Sequence, residues 1–135
     1  SQARDAYSRM TNCFAELCTV YPQRKIYSDS DVRYVQSCIA CVRQGEDTVA
    51  NCLLPIRKLK ETTDGDILIE TLCTYLLDAE SNSQRTGTLS YLHKNTVNYR
   101  LNKIRSILKC DLIQMPATLA VYQAAVIYRI LDSLG

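Results

Sequence analysis

Between Lys94 and Arg105 the chain reads Lys-Asn-Thr-Val-Asn-Tyr-Arg-Leu-Asn-Lys-Ile-Arg, so twelve residues hold three amides, a phenol and four cations. Helical spacing of 100° per residue stacks Val97, Leu101 and Ile104 on one stripe. Asn95, Asn98, Tyr99 and Asn102 then project from the opposite face. Lys94 and Arg105 flank one side of that face, and Thr96, Arg100 and Lys103 flank the other. An asparagine amide donates and accepts together on an adenine edge in the major groove, while Lys and Arg neutralise phosphates on either strand. The solvated face of an ordinary helix mixes Glu among its Lys, and this one has no acid at all.

The surrounding charge extends the pattern. From Ser81 to Cys110 thirty residues contain no Asp or Glu and six cations: Arg85, Lys94, Arg100, Lys103, Arg105 and Lys109. The remaining 105 residues carry ten basic and fourteen acidic side chains, so a net charge of +2 conceals one basic window in a mildly acidic chain. Such a window is the footprint of a phosphate-binding surface. Gly87 lies ten residues before Val97, a spacing that suits two short helices packed closely across a tight turn. Leu92 would plug the corner, and His93 stands where the second helix needs its N-cap. Histidine is a poor cap by preference, which leaves its imidazole open to a structural duty or to contact with DNA.

The other reactive residues support no comparable chemistry. Seven cysteines (Cys13, Cys18, Cys38, Cys41, Cys52, Cys73 and Cys110) are an odd number, most of them within apolar helical patterns, as expected of free thiols in a reducing cytoplasm. Cys38 and Cys41 form a C-x-x-C, but a zinc site needs about four ligands and the only histidine, His93, is distant. The pair is expected to pack as small apolar side chains. With one histidine, no phosphate-cradling glycine loop and no H-E-x-x-H, neither an enzyme nor a metal or cofactor site is expected.

These residues must be positioned by helices. The 135-residue chain is 47% hydrophobic and 22% charged, the composition of a folded domain. Only four Gly and three Pro leave few turns, which favours long helices. No stretch approaches the roughly 18 apolar residues of a membrane span, and no secretory leader is recognisable. Apolar spacing over Ala6, Tyr7, Met10, Cys13, Phe14, Leu17 and Cys18 predicts a helix stopped at Tyr21-Pro22. Lys25 to Tyr27 is at most a strand stub. Asp29 or Ser30 caps a second helix burying Val32, Val35, Cys38, Ile39 and Val42 and ending near Gly45. A shorter helix from about Glu46 is interrupted at Pro55, and Ile56 to Lys60 continues as helix before a turn at Thr62 to Gly65. Asp66 opens a helix running through Leu77, followed by a loop or cap over Glu80 to Ser83. Helices at Ser83–Ser90 and Lys94–Leu108 flank Tyr91 to His93, and Thr118 caps a last helix from Leu119 to Leu134. The fold class expected is all-α, a helical bundle containing a helix-turn-helix.

The run from His93 to Leu101 is similar to the H-x-N-T-V-x-Y-R-L signature of the PucR family, bacterial transcriptional regulators that include the CdaR-like sugar-diacid regulators. Upstream, Leu68 to Leu76 resembles the family's L-x-E-T-L-x-x-Y-L helix, and Asp111-Leu112 with the last helix resembles its C-terminal end. The resemblance covers about residues 64–134. It implies a Fis-type helix-turn-helix whose second helix reads double-stranded operator DNA, usually as a homodimer. The DNA-contacting set is then Arg85, His93, Lys94, Asn95, Thr96, Asn98, Tyr99, Arg100, Asn102, Lys103 and Arg105. Residues 63–135 would form the DNA-binding domain, and residues 1–62 a helical linker or the end of a preceding regulatory domain. A small-molecule effector would bind an N-terminal domain outside this chain. The chain departs from the family pattern at Gly87, where Ala is usual, at Ser90, where Leu is usual, and at Gln84, where a Ser cap is usual.

Two further functions compete. A helical dimerisation or protein-interaction module with a degenerate helix-turn-helix would use the apolar last helix, and a thiol redox switch has the C-x-x-C alone in its support. Salt separates them, because neutralising several phosphates makes affinity fall steeply with ionic strength.

Overall fold

The computed structural model describes residues 13–135. Among the described residues there are eight α-helices and one π-helical turn, and no strand. They are α1 (Phe14–Val20), α2 (Asp29–Arg43), α3 (Glu46–Cys52), α4 (Leu54–Lys60), α5 (Gly65–Cys73, extended by the π turn Thr74–Asp78), α6 (Ser83–Ser90), α7 (Lys94–Leu108) and α8 (Ala117–Leu134). The all-α expectation holds. The first predicted helix is present from Phe14 onward, while its positions Ala6, Tyr7 and Met10 lie outside the described residues. The strand stub at 25–27 is absent: Lys25 and Ile26 form a bend, Ile26 is 84% exposed, and Tyr27 packs edge-on against Phe14 instead of pairing its backbone.

Local chemistry explains the boundaries, with three corrections. α2 is capped by Ser28 rather than by Asp29 or Ser30. The Ser28 hydroxyl accepts the Asp31 N–H at 3.1 Å, and the Asp31 carboxylate accepts the Ser28 N–H at 2.9 Å, a reciprocal capping box. Asp29, already inside the first turn, pairs with Arg33. The predicted cap Thr118 is instead buried inside α8, its hydroxyl facing the Cys110 sulfur, and the helix begins two residues earlier, at Ala117 after Pro116. Pro55 does not break a helix internally. It sits in the first turn of α4, where its missing N–H has no helical partner to lose.

α8 is the hub. Val121, Ala124, Ala125, Val126, Ile127 and Ile130 are buried, and the helix packs against α1 to α5 and the π turn. It therefore shares one hydrophobic cluster with Leu17, Val20, Val32 and Val35 on one side and Leu68, Ile69 and Leu72 on the other. A polar clamp crosses the same region. Arg129 of α8 grips Asp78 of the π turn through two bonds of 2.8 and 2.7 Å and also donates to the Val20 carbonyl at 2.9 Å. Planar bidentate pairing of this kind fixes orientation as well as charge. α7 rests on α4, α5 and α6, which form the base of the helix-turn-helix.

The cysteines are free thiols, and among the described residues no cluster of three His, Cys, Asp or Glu is arranged to hold a metal. Cys13, Cys38, Cys73 and Cys110 are buried, as the apolar reading expects, whereas Cys18 is exposed and Cys41 and Cys52 are half-buried. Burial pushes the Cys38 thiol up to about 11 and the Cys73 thiol up to about 12, which keeps both protonated and unreactive. No described helix is long and apolar enough to cross a membrane.

Candidate nucleic-acid interface

The interface is built from α6, a tight turn and α7, whose ends coincide with the predicted helices. The expected Ser cap at Gln84 is not missed, because Asn82 does the work two residues earlier. Its side-chain oxygen accepts the Arg85 N–H at 2.9 Å, and its carbonyl accepts the buried Thr86 hydroxyl at 2.7 Å. Gly87 is buried where α6 meets the turn. A Cβ there would stand 2.9 Å from the Leu92 carbonyl oxygen and 3.5 Å from a Val97 methyl, so the close approach inferred from spacing is real and an Ala would force the turn outward.

The turn itself is a Schellman closure. Tyr91 takes a left-handed conformation (φ 58°), its N–H reaches the Thr88 carbonyl at 3.4 Å, and the Leu92 N–H bonds the Gly87 carbonyl at 2.9 Å. Glycine is the usual occupant of this position. Here a tyrosine holds it with its side chain 95% exposed, a feature sequence reasoning did not single out; a large aromatic in a turn otherwise closed by Gly was its only trace. Leu92 packs against the core as expected. His93, rated a poor cap, is the cap of α7: its Nδ1 accepts the Asn95 N–H at 3.1 Å.

α7 buries Val97, Leu101 and Ile104 fully, as the 100° spacing predicts. Lys94, Asn95, Tyr99 and Asn102 are exposed together on the outer surface, with Thr96 and Asn98 half-exposed at its margins. Tyr99 is 65% exposed, so the phenol is free to meet a partner. Arg85 is exposed on the first turn of α6, apart from this face.

The remaining cations are not equivalent. Arg100 is half-buried and turned toward α5, where its guanidinium approaches the Thr71 hydroxyl at 3.4 Å. The Lys103 ammonium lies 2.8 Å from the Asp64 carboxylate, just before α5. That ammonium holds the Asp64 carboxyl below the usual carboxylate range. Arg105 donates to the Asn102 side-chain oxygen at 3.0 Å and to the Asp111 carbonyl at 3.2 Å, which ties the end of α7 to the following loop. Asp111 shapes that loop by accepting the Ile113 and Gln114 N–H groups at 2.8 and 2.9 Å, and these bonds lower its pKa. Asp64 and Asp111 lie outside the basic window and gave no sign of their partners in the sequence. The outer face of α7 therefore presents amides, a phenol and Lys94 to solvent, the composition that suits base edges bordered by phosphates.

A protein-family model described as the PucR C-terminal helix-turn-helix domain matches residues 68–127, from α5 into α8. No curated protein and no solved structure matches the chain.

Proposed function

We propose, from the match of residues 68–127 to the PucR C-terminal helix-turn-helix domain, that this chain binds double-stranded DNA sequence-specifically and regulates transcription. In this reading α7 lies in the major groove. Asn95 and Asn98 read base edges, with Tyr99 and Asn102 beside them. Lys94, Arg100, Lys103 and Arg105 supply positive charge to the phosphates, and Arg85, His93 and Thr96 border the groove from α6 and the start of α7. The observation that carries the reading is the acid-free outer face of α7, where Lys94, Asn95, Tyr99 and Asn102 stand exposed opposite fully buried Val97, Leu101 and Ile104. The chain is proposed to act in the bacterial cytoplasm, without cofactor, as a non-enzymatic regulator whose effector is sensed elsewhere in a longer protein.

The test is a fluorescence titration against operator candidates and random duplex at several salt concentrations. Asn98→Ala is expected to relax sequence preference by about 1–3 kcal/mol. Lys94→Ala is expected to weaken all duplexes alike and to reduce the salt slope by about one. Wild-type affinity indifferent to salt, or both substitutions without effect, would refute the assignment and favour the protein-interaction alternative.

A further inference from the structure

Of the six cations in the acid-free window, Lys103 alone forms an ion pair with a carboxylate among the described residues. Its partner Asp64 stands at the N-cap position of α5, yet its side chain makes no capping bond to that helix. The carboxylate is engaged across the interface with α7 instead. Both side chains remain about one-third exposed, 37% for Lys103 and 34% for Asp64, so the pair is open to water and to exchange. Lys103 follows Asn102 on α7, at the margin of the outer face that carries Tyr99 and Asn102.

We propose that Asp64 competes with the DNA backbone for the Lys103 ammonium, and so sets how strongly the interface attracts any duplex. The inference rests on the DNA-binding reading and adds to it a residue that touches no base. A phosphate reaching Lys103 must displace a carboxylate already 2.8 Å from the ammonium, or approach with that like charge beside it. An exposed pair is weak, so exchange is feasible, but the net charge that Lys103 offers is reduced until the carboxylate leaves. Phosphate contacts carry no base information, so Asp64 lowers affinity for operator and random sequence alike. It thereby limits capture of the chain on non-operator DNA. Lys94, exposed and without a carboxylate partner among the described residues, has no such restraint.

The experiment is a double-mutant cycle with Asp64→Asn and Lys103→Gln, read by anisotropy on a labelled random duplex of about 30 base pairs, three helical turns. Lys94→Gln serves as a reference, and thermal melts confirm folding. Asp64→Asn is expected to tighten binding roughly two- to fivefold at low salt and to steepen the salt dependence by about 0.9 in log K against log salt. In the Lys103→Gln background the same change is expected to do nothing. An unchanged or shallower slope in Asp64→Asn, or an effect that persists without Lys103, overturns the competition; a shallower slope would make Asp64 a residue that positions the cation for DNA. If Lys94→Gln weakens binding while Asp64→Asn leaves it unchanged, this inference falls and the DNA-binding reading stands. If no variant binds duplex at low salt, both fall together.

Discussion

His93 illustrates how a side chain of weak average preference becomes the right one in place. Its backbone is extended (φ −65°, ψ 146°), which turns Nδ1 back onto the Asn95 N–H and satisfies one of the donors left over at the start of α7. His93→Ala is expected to lower stability by about 1 kcal/mol in urea denaturation, while His93→Asn, which keeps a short acceptor, is expected to retain it. The pair also separates capping from recognition. If His93→Asn matches wild-type stability but binds duplex more weakly, the outer edge of the imidazole contacts DNA; equal affinity assigns it to the cap alone. Tyr91, two residues earlier, is held in a left-handed conformation that ordinarily favours glycine, and it is 95% exposed.

Among the elements, the junction of α4 and α5 determines where the base of the interface lies. Gly65 opens α5 against the end of α4 so tightly that a Cβ would fall 2.3 Å from the Leu59 carbonyl oxygen and 2.9 Å from the Lys60 Cα. Both are backbone atoms, which no rotamer change relieves. Gly65→Ala is therefore expected to destabilise by about 1–3 kcal/mol despite the better helix former, seen as a lower denaturation midpoint. A wild-type midpoint would mean the two helices do not meet as closely as described. Because Asp64 precedes this junction and α7 packs on both helices, displacement there would also shift the Lys103 partner. The same elements show how much sequence alone made legible. The limits of α6 and α7 follow from local signals: a Ser-Asn-Ser cap segment, a three-residue break and a 100° apolar stripe. The π turn Thr74–Asp78 left no such mark, since the residues from Ile67 to Leu77 read as one continuous helix and only packing against α8 and α6 accompanies its change of pitch.

At the scale of the whole molecule, the last helix is less available for self-association than its composition suggests. Of its large apolar residues, Val126, Ile127 and Ile130 are buried, Tyr122 and Leu131 are half-buried, and Leu119 and Leu134 are exposed. Coverage on several sides by α1 to α5 explains this, since a small domain needs most of its apolar residues inside. In α1, Phe14 is 52% exposed. Two-fold binding, which the family resemblance implies, is proposed because a single recognition helix contacts too few base pairs to select an operator. A dimer is expected to require half-sites about 34 Å apart, one turn of DNA or a multiple of it. Ile113 and Met115, in the segment between α7 and α8, are 73% and 69% exposed. Sedimentation at micromolar concentration with palindromic DNA is expected to show two chains per duplex. A single 15.3 kDa chain per duplex would remove self-association from this region.

The amino-acid sequence by itself determined the helical class, the helix-turn-helix and the polar outer face of α7. Each depends on interactions within three or four residues, through periodicity, capping and the stops imposed by Gly and Pro. Only the tertiary structure decided which cations of that helix are free. Lys103 meets Asp64 across 39 residues and Arg100 meets Thr71 across 29, and no local pattern encodes such pairings. It likewise decided that α8 is a shared core for the helices before and after residue 62, since one helix hides several faces only when neighbours distant in the chain close around it. Charge and hydrophobicity are properties of residues, but exposure is a property of the packed whole.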